Sequence, residues 1–344
     1  MNEQQQLISE TLNRLLTDLC TPEVVDRSES GTFAENLWQV LTETGLTAAG
    51  IGVEAGGSGG DLEDSLLVIR EAARFAAPVP LAEHFIAGLL LSEQAQSIES
   101  GPVTIASGKF IISDGLLLSG TADDVAFARW CAQVVLVAQG PDGLKLCRVP
   151  ASDFDIVQKN SVAGEPRDAI SVNTKVAAES VFNVDSQTPE RINLMGAALR
   201  ALMMSGALES VLEMTVQYSM ERSQFGRPIS KFQAIQQQLA ILAGEVAACQ
   251  MAGHSVVEAF STLGELDIAI GKARIGEAVS ICTDIAHQVH GAMGYTLEHS
   301  LNHRTRRLWS WREEYGNERE WQKLVGRHFS AQGADKLWGS MTAL

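Results

Sequence analysis

The stretch from Glu221 to Ala240 holds the residues best suited to chemistry, and it reads as a turn between two helices. The run through Leu208, Val211, Leu212, Met214, Thr215 and Tyr218 has helical spacing and must end as Gly226 and Pro228 approach. A second helix is predicted after Pro228, with Ser230 as its N-cap and Ile235, Leu239 and Leu242 as its apolar stripe. Arg222 and Gln233 then flank a helix N-terminus, where free amides and the helix dipole favour an anion such as a pyrophosphate. The bland alternative is a surface arginine and a capping glutamine.

The remaining chain supplies elements to position that turn. Up to about Gln96 the apolar spacing is helical, through Leu7, Leu12, Leu15 and Leu16, then Leu37, Val40 and Leu41, then Leu66, Val68, Ile69 and Ala72. Gly50-Ile-Gly-Val-Glu-Ala55 satisfies a dinucleotide fingerprint on paper, but Gly56 to Gly60 follow at once and keep a helix from opening there, so the match is rejected. Between about Gly101 and Val184 short β-rich runs appear, including Val103 to Ile105, Phe110 to Ile112, Val134 to Val137 and Leu144 to Val149, punctuated by turn residues. After Asn193 the pattern returns to helix, with small residues at Ala197, Ala201, Gly206 and Ala207 that permit close helix approach.

Composition narrows the function class. A chain of 344 residues with 45% hydrophobic and 20% charged content is an ordinary globular protein of two or three domains. Its net charge of -16 excludes a general nucleic-acid binder, which needs a basic face. The one basic run, His303-Arg-Thr-Arg-Arg307, reads as a solvated helix face. Five scattered cysteines without Cys-x-x-Cys spacing give neither a disulfide framework nor a zinc site. With no apolar leader or membrane-length run recognised, a cytoplasmic location is expected. His299 and His303 stand at i, i+4 without the glutamate of a zinc protease and read as surface histidines. No hydrolase elbow or P-loop appears.

Two ordered motifs carry a family resemblance. Arg222-x-x-Phe225-Gly226, followed by Phe232-Gln233 and an apolar helix, resembles the flavin-diphosphate motif of the acyl-CoA dehydrogenase family. Gln288-Val-His-Gly-Ala-Met-Gly-Tyr295 resembles that family's Gln-x-x-Gly-Gly-x-Gly-Tyr/Phe segment, with Ala292 in place of the second glycine. The resemblance is specific from about Gly196 onward and covers nearly the whole chain in outline.

It implies an α+β, mostly α fold: a helical N-terminal domain (1–100), a small β-barrel-like middle domain (101–190) and an oligomerising C-terminal four-helix bundle (191–344). The implied cofactor is FAD, held by Arg222, Gln224, Phe225, Ile229, Phe232, Gln233, Gln288, Gly291 and Ala292. The implied reaction is α,β-dehydrogenation of an acyl-CoA thioester, with an electron-transfer flavoprotein as acceptor.

Two family features depart. The family's catalytic glutamate falls on Tyr315 in an ungapped comparison, and a one-residue shift makes Glu314 the candidate base; its alternative position falls on Gly196. The reading of Glu313, Glu314, Glu318 and Glu320 as helix charges paired with Arg312 and Arg319 stays open beside it. The aromatic-x-Thr element that packs on the flavin ring falls on Asp124-Val-Ala126, with Trp130 nearby read as packing. The expectation is therefore one subunit of a heteromeric dehydrogenase that shares FAD with a different chain. Two alternatives stand: a homo-oligomeric enzyme using Glu314, and a scaffold subunit that has lost flavin.

Overall fold

The structure is a computed structural model that describes residues 2–98, 101–296 and 299–342. It divides into two compact units, one formed by Met1–Ala72 with Ala76–Gly196 and the other by Ala197–Leu344 with Ala73–Phe75.

The first unit starts with five helices: α1 (Glu3–Leu19), α2 (Pro22–Glu29), α3 (Glu35–Glu43), α4 (Leu62–Arg74) and α5 (Leu81–Ser92). Asn2 caps α1 with a capping box to Gln5, and Leu12 and Leu16 form its buried stripe. Helix α5 is apolar almost all round and almost wholly buried, as a core helix must be. Between α3 and α4, Gly50, Gly56, Gly59 and Gly60 all take positive φ in a tight connection. No strand opens onto a helix there, so the rejected fingerprint has no structural counterpart.

Eight strands follow: β1 (Val103–Ala106), β2 (Lys109–Ile112), β3 (Leu117–Ala126), β4 (Gln133–Gly140), β5 (Gly143–Pro150), β6 (Phe154–Val157), β7 (Arg167–Lys175) and β8 (Val181–Asn183). The sheet order is β6-β7-β3-β2-β4-β5-β8, with β1 added in parallel on β4. Phe110, Leu118, Val134, Leu136, Cys147, Val149 and Ile170 share its core. Where Ala122 pairs with Ile170 and Val125 with Asp168, β3 carries one extra residue against β7, a β-bulge.

The second unit is helical. Its elements are α6 (Thr188–Glu221, which begins in the first unit), α7 (Gln233–Phe260), α8 (Glu265–His290), α9 (Leu301–Glu313), α10 (Glu318–Gln332) and α11 (Ala334–Thr342), with a short hairpin of β9 (Ser223–Gln224) and β10 (Arg227–Pro228) between α6 and α7. On α7, Leu242, Val246, Cys249, Gly253 and Val256 are buried at alternating spacings of four and three, the period of a helix seam. Gly271 of α8 lets the two helices close up, since a Cβ there would sit 2.3 Å from Val256 Cγ2. Among the described residues, two helices are long and apolar enough to cross a membrane by length and composition. The apolar window of α6 is 89% buried, as in a core helix, whereas that of α7 is only 28% buried.

Candidate cofactor site

The helical unit brings both sequence motifs to one cavity of about 430 Å³. Arg222, Gln224, Phe225, Ile229 and Phe232 line it from the hairpin side, and Gln288, Gly291 and Ala292 from the end of α8. Gln233 is the exception: it is exposed in the first turn of α7 and outside the lining.

The hairpin is built to display its side chains. Phe225 and Gly226 occupy the two central turn positions with φ of 52° and 80°, the left-handed pair that a two-residue hairpin needs. A phenylalanine in that conformation is strained by roughly 1 kcal/mol or more. It is nevertheless 93% exposed, its ring edge-on to Phe232 at 6.2 Å. An exposed, strained aromatic is a better sign of a binding surface than of packing. The Ile229 N–H donates to the Arg222 carbonyl at 2.8 Å and closes the loop.

The cap of α7 differs from the sequence expectation. A single 3₁₀ turn, Ile229–Lys231, follows Pro228, and α7 starts at Gln233 with Phe232 as N-cap. Ser230 therefore does not cap the helix. No side chain does, which leaves the positive end of the helix dipole open beside Arg222. Among the described residues, the side chains of Arg222, Gln224 and Gln288 make no hydrogen bond or ion pair with the protein.

At the opposite wall, Gly291 ends α8 with φ 59° and ψ -141°, a region closed to side-chain-bearing residues. Ala292, which replaces the family's second glycine, has no such positive φ. Alanine is thus tolerated where glycine is not required. Tyr218 and Met293 also line the cavity and were not singled out from sequence as its lining, whereas His290, also in the lining, belongs to the Gln288–Tyr295 segment read as cofactor-binding. Tyr218 lies one helical turn before Arg222 and His290 two residues after Gln288, so helical spacing from the known motifs was the available signal.

The carboxylate candidate sits elsewhere in this unit. Glu314 caps the C-terminus of α9, and Arg200 Nε donates to its Oε2 at 2.6 Å, with Ser310 Oγ on its Oε1 at 3.2 Å. The Arg200 side chain is 3% exposed and that of Glu314 20%. Tyr315 and Gly316 follow with φ of 55° and 89°. Beneath this turn Lys272 is fully buried and donates to the carbonyls of Arg312 at 2.8 Å, Gly316 at 2.9 Å and Trp311 at 3.4 Å. Burial pushes its ammonium down to about 8, against the pull of Glu314. The other carboxylates are also engaged: Glu318 pairs with Arg312 at 2.8 Å, and Glu320 completes the Asn317 capping box. This geometry favours the paired, structural reading of the acidic run.

The basic run is not a solvated face. His303 and Arg307 are buried, and Arg304 donates to the Arg74 carbonyl at 3.1 Å and Ser210 Oγ at 3.2 Å. His299 precedes α9, so the two histidines do not share a helix.

In the first unit, the stretch aligned with the aromatic-x-Thr element lies on the β3 bulge. Asp124 is exposed with φ 57°, and Val125 and Ala126 turn inward. Trp130 packs on Phe33 at 5.4 Å and Phe127 at 6.0 Å. Beside it, fully buried Asp168 accepts from the Arg129 amide and guanidinium at 2.9 Å and from the Lys159 amide at 3.2 Å. Neither an aromatic wall nor a hydroxyl is offered there.

One unit with a helical segment and an eight-stranded sheet, and one helical unit with an aromatic-edged cavity beside Arg222 and a helix N-terminus, make this a mostly α, α+β protein. Comparison with known proteins agrees. The family patterns "Acyl-CoA dehydrogenase, N-terminal domain" and "Acyl-CoA dehydrogenase, C-terminal domain" match residues 2–94 and 191–318. The protein named acyl-CoA dehydrogenase IpdE2 from Mycolicibacterium smegmatis is 27% identical over 312 residues, covering 88% of this chain and 91% of that one. Its namesake from Mycobacterium tuberculosis is 26% identical over 308 residues, covering 87% and 89%. Among solved structures, a chain of the ChsE4–ChsE5 complex from Mycobacterium tuberculosis superposes with a TM-score of 0.85 at 21% identity, covering 96% of this chain and 98% of that one. The chain belongs to the acyl-CoA dehydrogenase family. It is an FAD-dependent acyl-CoA dehydrogenase or a subunit of one.

The cavity fits the adenosine diphosphate half of FAD. It offers an unpaired guanidinium, an uncapped helix N-terminus, an exposed ring, and a buried imidazole nitrogen, His290 Nε2, that has no partner among the described residues.

Proposed function

We propose that this chain is one subunit of a two-chain acyl-CoA dehydrogenase, clasping the adenosine diphosphate half of FAD while a different chain supplies the flavin-ring wall and the base. One observation carries this reading. At the cavity, Arg222, Gln224 and Gln288 have no protein partner among the described residues, whereas Glu314 is engaged by Arg200 and the β3 stretch aligned with the ring-packing element presents an exposed aspartate and inward-turned Val125 and Ala126. Arg222 and the α7 N-terminus hold the diphosphate charge. Phe225 and Phe232 cover the nucleotide from water. Glu314, held by Arg200, fixes the turn after α9, and removal of the substrate α-proton falls to the partner chain. When bound, FAD supplies the acceptor for the β-hydride of the acyl-CoA thioester, and an electron-transfer flavoprotein takes the electrons onward.

The docking face is α7. Its outward residues include Ala243, Gly244 and Ala247, with Ile241 and Met251 more than half exposed, and it starts at the cavity. Such a face of small uncharged residues suits a second helix at close range. Support for a different chain as occupant comes from the paired names ChsE4–ChsE5. All five cysteines are buried and free, consistent with a reducing, cytoplasmic setting.

The test is flavin content. The chain is purified alone and with a co-produced dehydrogenase-like partner, and visible absorption is compared with protein mass. Flavin-free protein alone and FAD in the pair is the expected result. Stoichiometric FAD in the lone chain overturns the shared site, and a flavin-free pair overturns FAD binding altogether.

A further inference from the structure

Lys272 of α8 is fully buried, and its hydrogen-bond partners among the described residues are three backbone carbonyls, those of Arg312 at 2.8 Å, Gly316 at 2.9 Å and Trp311 at 3.4 Å. A lysine is almost never buried completely unless an anion pairs with it. Here the nearby carboxylates are committed elsewhere. Glu314, at the end of α9, takes Arg200 of α6, and Glu318 of α10 takes Arg312 of α9. Glu313 of α9 stands 4.0 Å from Arg312 and accepts from Asn317 Nδ2 at 3.3 Å. From α7, Glu245 faces Arg274, which lies two residues further along α8 and so on its other side.

The carbonyls suit an uncharged amine nearly as well as an ammonium. A neutral amine keeps two N–H bonds, enough for the two short contacts, and the carbonyl left over is the distant one of Trp311. Trp321 Nε1 also serves the carbonyls of Tyr315 at 3.1 Å and Gly316 at 3.2 Å, so the turn keeps donors when a proton leaves. Desolvation, by contrast, penalises the charged form far more than the neutral one. We infer that Lys272 is a proton-linked latch on the turn between α9 and α10: the closed turn takes it more readily as the neutral amine, so that proton uptake loosens the turn and proton loss tightens it. Burial pushes the group down to about 8, with Glu314, Glu313 and Glu318 opposing the fall and Arg200 adding to it. A lysine in water holds its proton to about 10.4. Between these values the opened turn binds more protons than the closed one, so opening becomes rarer as the pH rises; below about 8 both forms are protonated and opening does not depend on pH.

Hydrogen exchange of the full chain is followed by mass spectrometry at pH 7 and pH 9, and the opening of amides 311–321 is obtained after correction for intrinsic exchange rates. The native chain is expected to open this segment about tenfold less often at pH 9 than at pH 7. Lys272→Met has no proton to exchange there and Lys272→Arg keeps its charge throughout, so both are expected to open equally at the two pH values. A second measurement needs no variant. With carbon-13 at lysine Cε of the native chain, one NMR signal is expected to titrate near 8 and the exposed lysines near about 10.4. Native opening that is unchanged between the two pH values, the same drop in either folded variant, or lysine signals that all titrate above about 10 overturns the latch.

Discussion

The cavity edged by Arg222, Phe225 and His290 and the turn from Glu314 to Gly316 lie in the same helical unit and are opposites in how they treat polar groups. Around the cavity a guanidinium, two amide side chains, an uncapped helix end and an imidazole nitrogen have no protein partner among the described residues. At the turn every comparable group is engaged: Glu314 by Arg200, the carbonyls of Arg312 and Gly316 by Lys272, and those of Tyr315 and Gly316 by Trp321 Nε1. Both contain a left-handed aromatic, Phe225 and Tyr315, so strain alone does not distinguish them. The difference teaches that groups already engaged by the protein have little left to offer a ligand, whereas Arg222, Gln224 and Gln288 are exposed and held only by water that a ligand can replace.

The largest effect expected from testing this contrast is at the turn. Arg200→Met leaves Glu314 partly buried without its partner and should cost roughly 3 kcal/mol in urea unfolding, at the lower end for a broken buried pair because Glu314 keeps some solvent. A loss below about 0.5 kcal/mol would show the pair to be surface-like and the contrast weaker than drawn.

A second test compares a satisfied imidazole with the unsatisfied one. His84 Nδ1 accepts from the Val103 amide at 3.1 Å, and burial holds both His84 and His290 down at about 4. An unfolded histidine takes up its proton near 6.5, so over this interval the unfolded state binds more protons and is favoured. Stability is therefore full above about 6.5 and falls as the pH drops towards 4, by something on the order of 3 kcal/mol for His84. Urea unfolding at pH 7, 5 and 4 checks this, and His84→Gln should flatten the fall. An unchanged slope in that variant would remove His84 from the account.

The smallest effects separate two neighbours in the cavity wall. Gly291→Ala forces a side chain into a glycine-only conformation and should lose about 1–3 kcal/mol of stability. Ala292→Gly should change it by less than about 1 kcal/mol. Equal losses at both positions would mean that the wall is not held by the Gly291 conformation.

Much of the architecture was legible along the chain. Helical spacing through Leu12 and Leu16, short alternating runs around Val134 to Val137, and the return to helix after Asn193 all reappear as elements, because period and turn residues are local properties. The strands β6, β7 and β8 were missed, since Phe154–Val157 and Val181–Asn183 are too short and Arg167–Lys175 too polar to announce themselves. Ser230 failed as a cap because the 3₁₀ turn carries the chain past it before α7 begins.

What the sequence determined by itself was the family, the order of helix, sheet and helix, and the cofactor motifs, since each rests on residue types at fixed spacing. What only the tertiary structure decided was which groups remain available. Glu314 meets Arg200 across 114 residues, and Tyr218 meets His290 across 72. Pairing over such distances leaves no periodic mark on a chain, and it is pairing that separates a structural charge from a binding group.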